Sequence, residues 1–234
     1  MREKTSRMKI IATIHNDFKE KFGIPRQSGI TDGFISKIVF EPKYRVKEAL
    51  RGIEGYSHLW LIWQFSKSVR DDWSPTVRPP RLGGNKRMGV FATRSPFRPN
   101  PIGLSSVKLL EIRETKDEGT VLIVSGADML DGTPIYDVKP YLAYTDSHPE
   151  ATCGFADEVK DYSLEVDFPS ELLSTVAEEK QKSLIKILEN DPRPSYIDDE
   201  NRIYTFAFAD YEISFKVSER NLQVTDVETR NNKL

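Results

Sequence analysis

One stretch of the chain combines residue types that suit the binding of an anion. Segment Trp73–Leu110, called the basic segment below, holds seven basic residues and no Asp or Glu. The basic residues are Arg78, Arg81, Lys86, Arg87, Arg94, Arg98 and Lys108. The whole chain has a formal charge of -2, so the residues outside these seven charges carry -9. Binding of a polyanion or of a carboxylate-bearing ligand requires such a cluster of positive charges within an otherwise acidic protein.

The basic segment is also rich in residues that restrict the backbone or open it to a ligand. Its prolines and glycines are Pro75, Pro79, Pro80, Pro96, Pro99, Pro101, Gly83, Gly84, Gly89 and Gly103. Only Met88–Thr93 has the apolar run of a strand, so we predict two rigid loops around one short strand. A solvated loop without function is the alternative, and the density of prolines and glycines argues against it.

Several longer stretches of the sequence resemble those of a known protein family. PPRLGGNKRMGVFATRSPFRPNPIGLS in the basic segment and DMLDGTPIYDVKPY at Asp128–Tyr141 closely resemble the tRNA methyltransferase O (TsaA-like) family. The likeness extends upstream through EKFGIPRQSG (Glu20–Gly29) and LRGIEGYSHLWLIWQF (Leu50–Phe65). It covers about Ile10–Thr145 strongly, and a DPRPxY segment at Asp191–Tyr196 also recurs in bacterial members. Strings of this length are far more specific than a lone glycine motif.

The resemblance implies S-adenosylmethionine (SAM) as cofactor. The family binds SAM through the P-R-Q loop, the residues after the H-L-W strand, the arginine of A-T-R-S, the residue after P-I-G, and the D-G-T-P loop. In this chain those positions are Pro25, Arg26, Gln27, Ser66, Lys67, Arg94, Leu104, Asp131, Gly132, Thr133 and Pro134. Some relatives have His where this chain has Ser66.

The residue types at these positions suit the chemistry of SAM. A cation or backbone donors must meet the methionyl carboxylate, acceptors must meet the ribose, and an apolar slot must hold the adenine. Arg26 and Arg94 offer the cation, while Asp131 and Leu104 offer an acceptor and an apolar surface. Spacing alone does not show that these loops converge. An Asp before Gly is commonly a turn residue, which is the main alternative for Asp131.

The remaining titratable residues give no catalytic pattern. Asp137 lies close to Lys139, and a structural ion pair explains it at least as well as catalysis does. His15, His58 and His148 are scattered, without metal-ligand or Ser/His/Asp spacing. We therefore expect no metal and a hydrogen-bonded structural role for His58, and we assign no catalytic residue.

The resemblance also implies the activity. It is the SAM-dependent N6-methylation of N6-threonylcarbamoyladenosine beside the tRNA anticodon, by a homodimer. We predict that Arg81, Lys86, Arg87 and Arg98 contact RNA, because clustered cations neutralise phosphates. Two other classes stay open: an RNA-binding module without catalysis, and a SAM-using enzyme that acts on a small molecule.

Composition limits the class of protein and the cellular compartment that we expect. The chain has 234 residues, of which 38% are hydrophobic, enough for a packed core. Its single Cys153 excludes an intramolecular disulfide and a thiolate metal cluster. The N-terminal apolar run stops at Ile14, too short for a signal sequence or a membrane span. We expect a cytoplasmic protein without membrane contact.

Many short strands and few helices predict a mainly β chain. We expect a single β-barrel SAM-binding domain at 1–148 and a small α+β domain at 149–234. The barrel strands are predicted at Met8–His15, Gly33–Phe40, Tyr56–Phe65, Leu104–Ile112, Thr120–Ser125 and Pro134–Val138. Tyr56–Phe65 is predicted to be buried on both faces. In the C-terminal part we predict one helix, Pro169–Glu189, and a meander, Arg202–Phe208, Glu212–Ser218 and Leu222–Val227.

Overall fold

The computed structural model describes residues 8–25, 27–29, 34–70, 72–79, 82, 86–158, 162–193 and 199–230. Within them the mainly β prediction is confirmed. The strands are β1 Ala12–His15, β2 Ile35–Phe40, β3 His58–Gln64, β4 Thr76–Val77, β5 Met88–Gly89, β6 Ile102–Thr115, β7 Gly119–Ser125, β8 Pro134–Pro140, β9 Glu165–Asp167, β10 Tyr204–Phe208, β11 Tyr211–Ser218 and β12 Asn221–Thr229. The α-helices are α1 Ala143–Asp146, α2 Ser170–Leu173 and α3 Glu178–Glu189. None of these helices is long and apolar enough to cross a membrane.

The N-terminal strands pair in the order β1-β2-β7-β6-β3-β8 and close into a barrel. Closure is made by β8, which returns to β1 with Ala12 opposite Ile135. The interior is filled by alternate apolar residues, because successive side chains of a strand point to opposite faces. The buried set includes Ile14, Ile38, Leu59, Leu61, Trp63, Leu122, Val124 and Ile135.

The prediction that β3 is buried on both faces is wrong. Its exposure alternates strictly, with Leu59, Leu61 and Trp63 buried and the intervening residues half-buried. Trp60 on the outer face is covered only in part, by the ring of Tyr141 at 5.3 Å and by Asp146, which accepts its indole N–H at 2.7 Å. The apolar Trp60 is accommodated on the outer face because Tyr141 and Asp146 cover part of it.

A second core lies between α3 and the sheet β10-β11-β12-β9. The predicted antiparallel meander is confirmed as β10, β11 and β12, and β9 joins β12 in parallel. Phe18 and Phe34 from the N-terminal part are buried in this same cluster, where their rings lie 5.0 Å apart. The second core therefore draws residues from both ends of the chain.

The single predicted helix Pro169–Glu189 is wrong, because the chain leaves the helical conformation between α2 and α3. The hydroxyls of Ser174 and Thr175 bond the carbonyls of Glu171 and Leu172, at 2.8 and 2.7 Å. Such side-chain bonds compete with the helical pattern. Ala177 is extended, with φ -53° and ψ 133°.

The strand predicted at Met88–Thr93 is also wrong beyond its first two residues. β5 pairs with β4 only at Met88 and Gly89, and Val90–Ala92 then form a 3-10 turn. The turn is fixed by the Thr93 hydroxyl, which bonds the Val90 carbonyl at 2.9 Å. Arg94 therefore follows a tight turn and is not carried by a strand.

Candidate functional site

The loop Gly23–Gly29 is held between the barrel and the C-terminal sheet. The Gly29 N–H bonds the Gly126 carbonyl at 3.1 Å, and a Cβ on Gly126 would lie 3.4 Å from the Gly29 nitrogen. At the other end, a Cβ on Gly23 would lie 2.4 Å from the Phe206 ring. Gly23 also has φ +89°, which favours glycine. Both contacts fix the loop that carries the P-R-Q residues.

Two of the predicted cofactor residues meet directly. The Arg94 guanidinium donates a hydrogen bond to the side-chain oxygen of Gln27. The P-R-Q loop and the A-T-R-S loop, 67 residues apart in sequence, thus converge. Pro25 is buried beside them, whereas Arg26 lies outside the described residues.

A buried polar network lies behind this contact. The Trp63 indole N–H bonds the Ser105 hydroxyl at 2.9 Å, and that hydroxyl donates to Asp128 at 2.5 Å. Burial raises the pKa of Asp128, and the Ser105 hydrogen bond, the nearby backbone N–H groups and the charge of Arg94 only partly oppose this rise. The backbone N–H of Ser28 lies close enough to the Asp128 carboxyl to oppose the rise of its pKa. The network links the barrel interior to the residue that follows Gln27.

Sequence reasoning missed Trp63, Ser105 and Asp128 as site residues. Ser105 had a detectable signal, because it is a polar residue at an inward position between Gly103 and Val107 on an alternating strand. Gly103 makes room for the network. A Cβ there would lie 2.2 Å from the Trp63 indole, and glycine allows that close packing.

The D-G-T-P loop contacts the end of β1. Asp131 accepts the Asn16 N–H at 3.0 Å and the Lys19 ammonium at 2.8 Å. Partial burial raises the pKa of Asp131, but the Lys19 and Asn16 hydrogen bonds and the nearby charges outweigh it and lower the pKa overall. Gly132 adopts φ +75° and Thr133 is buried, followed by Pro134 at the start of β8. The Asp131 carboxylate thus ties this turn to the residues that follow β1.

The other predicted cofactor positions lie on the surface. Ser66 and Lys67 are exposed just after β3, and the Lys67 carbonyl accepts the Lys21 ammonium at 2.7 Å. Leu104 is 57% exposed on the outer face of β6. Within the described residues, no hydrogen bond or ion pair joins these three residues or the D-G-T-P loop to Arg94 or Gln27.

The cations predicted to contact RNA differ in their surroundings. Lys86 is exposed, and Arg87 donates to the Thr76 hydroxyl at 3.2 Å. Arg98 is half-buried and donates to the carbonyls of Thr93 and Ser95, at 3.0 and 3.4 Å. Its guanidinium therefore stabilises the loop it belongs to. Arg81 lies outside the described residues.

Two further expectations concern acidic and metal-binding groups. Lys139 and Asp137 form an ion pair of 3.1 Å, which agrees with the structural interpretation of that pair. His58 bonds the Ser57 hydroxyl through Nδ1 at 2.9 Å, as expected for a structural histidine. The described part of the chain contains no cluster of His, Cys, Asp and Glu that could hold a metal ion.

Comparison with known proteins identifies the family to which this arrangement belongs. Residues 13–147 match the family described as tRNA-methyltransferase O N-terminal domain, and residues 161–230 match the TrmO C-terminal domain. The chain is a member of the tRNA methyltransferase O family, as the resemblance indicated.

Individual relatives agree with this membership. The chain is 40% identical over 228 residues to a tRNA (adenine(37)-N6)-methyltransferase of Escherichia coli (strain K12), which covers 94% of this chain and 97% of that protein. An enzyme of the same name from Eikenella corrodens is 47% identical over 163 residues, covering 69% of this chain and 91% of the relative. The crystal structure of TrmO from Pseudomonas aeruginosa superimposes with a TM-score of 0.74 at 30% identity, covering 96% and 99% of the two chains.

Proposed function

We propose that this chain transfers a methyl group from SAM to N6 of an adenosine next to the tRNA anticodon. We further propose that this adenosine carries an N6-threonylcarbamoyl group. The observation that carries the proposal is the contact between Arg94 and Gln27, which joins two family motifs at an exposed cation. The relatives named as tRNA (adenine(37)-N6)-methyltransferases support it.

The residues around this contact fit SAM. Arg94 is exposed, donates to a neutral amide oxygen and forms no ion pair in the described part of the chain, so its charge is open to the methionyl carboxylate. Leu104 gives an exposed apolar surface, and Gly132 gives a backbone that a side chain does not cover. We keep Pro25, Arg26, Gln27, Ser66, Lys67, Thr133 and Pro134 as further cofactor residues in this proposal. Asp131 would act by shaping the D-G-T-P turn.

The protein's contribution to catalysis is mainly positioning. When bound, SAM would supply a methyl group activated by its sulfonium, and transfer to N6 would release the thioether S-adenosylhomocysteine and the N6 proton. The chain fixes the P-R-Q loop through Asp128, Gly126 and Phe206, so that Gln27 and Arg94 hold one geometry. Prior orientation of two reactants can supply a large share of a rate enhancement. Asp128 is buried behind Ser28, which suits a positioning group better than a base.

The same chain would hold tRNA through the basic segment. Lys86 and Arg87 are exposed and have no carboxylate partner among the described residues, so they are open to phosphate. Arg81 belongs to the same proposal by sequence alone, and Arg98 would act through the loop it stabilises.

The proposal also covers the oligomeric state, the cellular compartment and the domain boundaries. We propose a homodimer that works in the cytoplasm, as the resemblance implies. We propose domains at 1–148 and 149–234, supported by family matches at 13–147 and 161–230. Phe18 and Phe34 qualify that division, because they pack in the core of the C-terminal sheet.

Mass spectrometry of anticodon-loop nucleosides tests the proposal. Purified protein is incubated with SAM and with tRNA that does or does not carry the threonylcarbamoyl group. A mass increase of one methyl on the modified adenosine alone is the expected result. Methylation of both tRNAs alike would contradict the proposed substrate. Retention of tRNA without transfer would favour an RNA-binding module.

A further inference from the structure

A cleft of about 470 Å³ opens on the outer face of the barrel, beside the loop that carries Gln27. Its lining includes Ser106 and Lys108 on β6, Tyr141 after β8, and the backbone of Gly29. None of the cofactor positions above belongs to this lining. The cleft is therefore a separate feature that the proposed SAM site leaves unused.

Lys108 brings an uncompensated positive charge to this cleft. The residue is exposed, and its cross-strand neighbours are His58 on β3 and Ser125 on β7. Within the described residues it forms no ion pair with Asp or Glu, although 11 ion pairs or His–carboxylate contacts occur there. An ammonium in a concave site of this kind favours an anionic ligand.

An aromatic ring stands beside the lysine. The Tyr141 ring lies 5.3 Å from the Trp60 ring and 6.2 Å from the His58 ring, and the Tyr141 backbone N–H donates to the His58 carbonyl at 3.0 Å. Trp60 is in turn tied to Asp146. Tyr141 is thus held by Trp60 and His58 while it lines the cleft, which suits a ring that stacks on an unpaired base.

The cleft lies within reach of the proposed cofactor residues. Ser28 lines it and directly follows Gln27, the partner of Arg94. On β6 the residues Leu104, Ser106 and Lys108 share the outer face, about 7 Å apart at each step. A ligand in the cleft would therefore lie next to a methyl donor held at Arg94 and Leu104.

We propose that this cleft is the subsite for the target nucleoside, with Tyr141 stacked on the base and Lys108 paired with the carboxylate of its N6 substituent. The ligand class is a purine nucleoside whose N6 group ends in a carboxylate. The assignment rests on the proposed function and names the residues that would select its substrate. It also separates Lys108 from the phosphate-binding cations of the basic segment.

The test compares two synthetic anticodon stem-loops and three proteins. One stem-loop carries N6-threonylcarbamoyladenosine, and the other carries the same group with its carboxylate replaced by a carboxamide. Wild type is compared with Lys108→Gln and with Lys116→Gln, an exposed lysine on the β6–β7 turn with no ion pair among the described residues. We measure kcat/KM of methyl transfer for each protein with each stem-loop, and calorimetry measures the SAM affinity of each protein.

Wild type and Lys116→Gln should prefer the carboxylate substrate by about 10- to 100-fold, the range for a charge-assisted hydrogen bond. Lys108→Gln should lose this preference while SAM affinity stays unchanged. If Lys108→Gln lowers kcat/KM equally on both stem-loops, Lys108 contacts phosphate or supports the fold, and the proposal is overturned. An unchanged preference for the carboxylate substrate in Lys108→Gln, or a fall in its SAM affinity, would also overturn the proposal. If wild type methylates neither stem-loop, the proposed function itself fails.

Discussion

The basic residues of the basic segment and those of the C-terminal sheet and helix have different partners. In the C-terminal part, Arg193 contacts Asp191 at 2.9 Å and Lys186 contacts Glu189 at 2.5 Å. In the basic segment, Arg87 donates to a hydroxyl and Arg94 to an amide oxygen. Arg98 donates to backbone carbonyls.

This difference separates structural cations from cations that can serve a ligand. A carboxylate partner both orients a cation and cancels its charge, whereas a neutral oxygen only orients it. Arg87, Arg94 and Arg98 are thus oriented by neutral oxygens, and none of the three forms an ion pair among the described residues. Arg193 and Lys186 of the C-terminal part lie instead against carboxylates of the fold. Three changes should break or sharpen this contrast.

The largest effect should come from Arg193→Met. Both Arg193 and Asp191 have side chains only 10% exposed, so the change removes the Arg193 guanidinium from a buried carboxylate, which keeps the Tyr162 hydroxyl at 2.9 Å. Removing one partner of a buried pair costs about 3–5 kcal/mol of unfolding free energy. Urea unfolding measures the loss, and Lys186→Met, which breaks a more exposed pair, should cost less than about 1 kcal/mol. Equal costs would mean that burial does not distinguish the two pairs.

A smaller effect should follow Gly103→Ala in the basic segment. The new methyl would lie 2.2 Å from the Trp63 indole and disturb the bonds that run through Ser105 to Asp128. Overpacking of this kind costs about 1–3 kcal/mol, measured by urea unfolding, and should also weaken SAM binding. Gly89→Ala is the control, because nothing lies within 4 Å of its added Cβ. A fully stable Gly103→Ala protein would show that the network tolerates rearrangement.

The smallest effect should come from Lys86→Gln combined with Arg87→Gln. If each cation meets a phosphate, the slope of log tRNA affinity against log salt should fall by about two. SAM affinity should not change. An unchanged slope with a lower melting temperature would assign both residues to the fold or to a dimer contact.

The sequence predicted the strands better than the helices and turns. A continuous apolar run located β3, short apolar segments between turn signals located β6, β7 and β8, and alternation located the meander, each to within a few residues. The break before Ala177 depends on hydroxyl-to-carbonyl bonds of Ser174 and Thr175. The turn after Gly89 depends on the Thr93 hydroxyl. Such local bonds leave little trace in hydrophobic periodicity.

The candidate site was predictable only where residues belong to recognisable strings. Gln27 and Arg94 were found through the family motifs, and the structure joins them. Trp63, Ser105 and Asp128 come from three distant positions, and their contacts arise only when the barrel closes. Arg98 was assigned to RNA by its charge, but it bonds carbonyls that become available only in the folded loop.

A calorimetric comparison of SAM with decarboxylated SAM tests the central claim most directly. If the uncancelled charge of Arg94 holds the methionyl carboxylate, wild type should bind SAM about 10- to 100-fold more tightly than the decarboxylated analogue. Arg94→Ala should bind both ligands with similar, weaker affinity, while Arg113→Ala, a surface arginine paired with Glu111, should behave as wild type. Equal affinity of wild type for both ligands, or an undiminished preference in Arg94→Ala, would contradict the account.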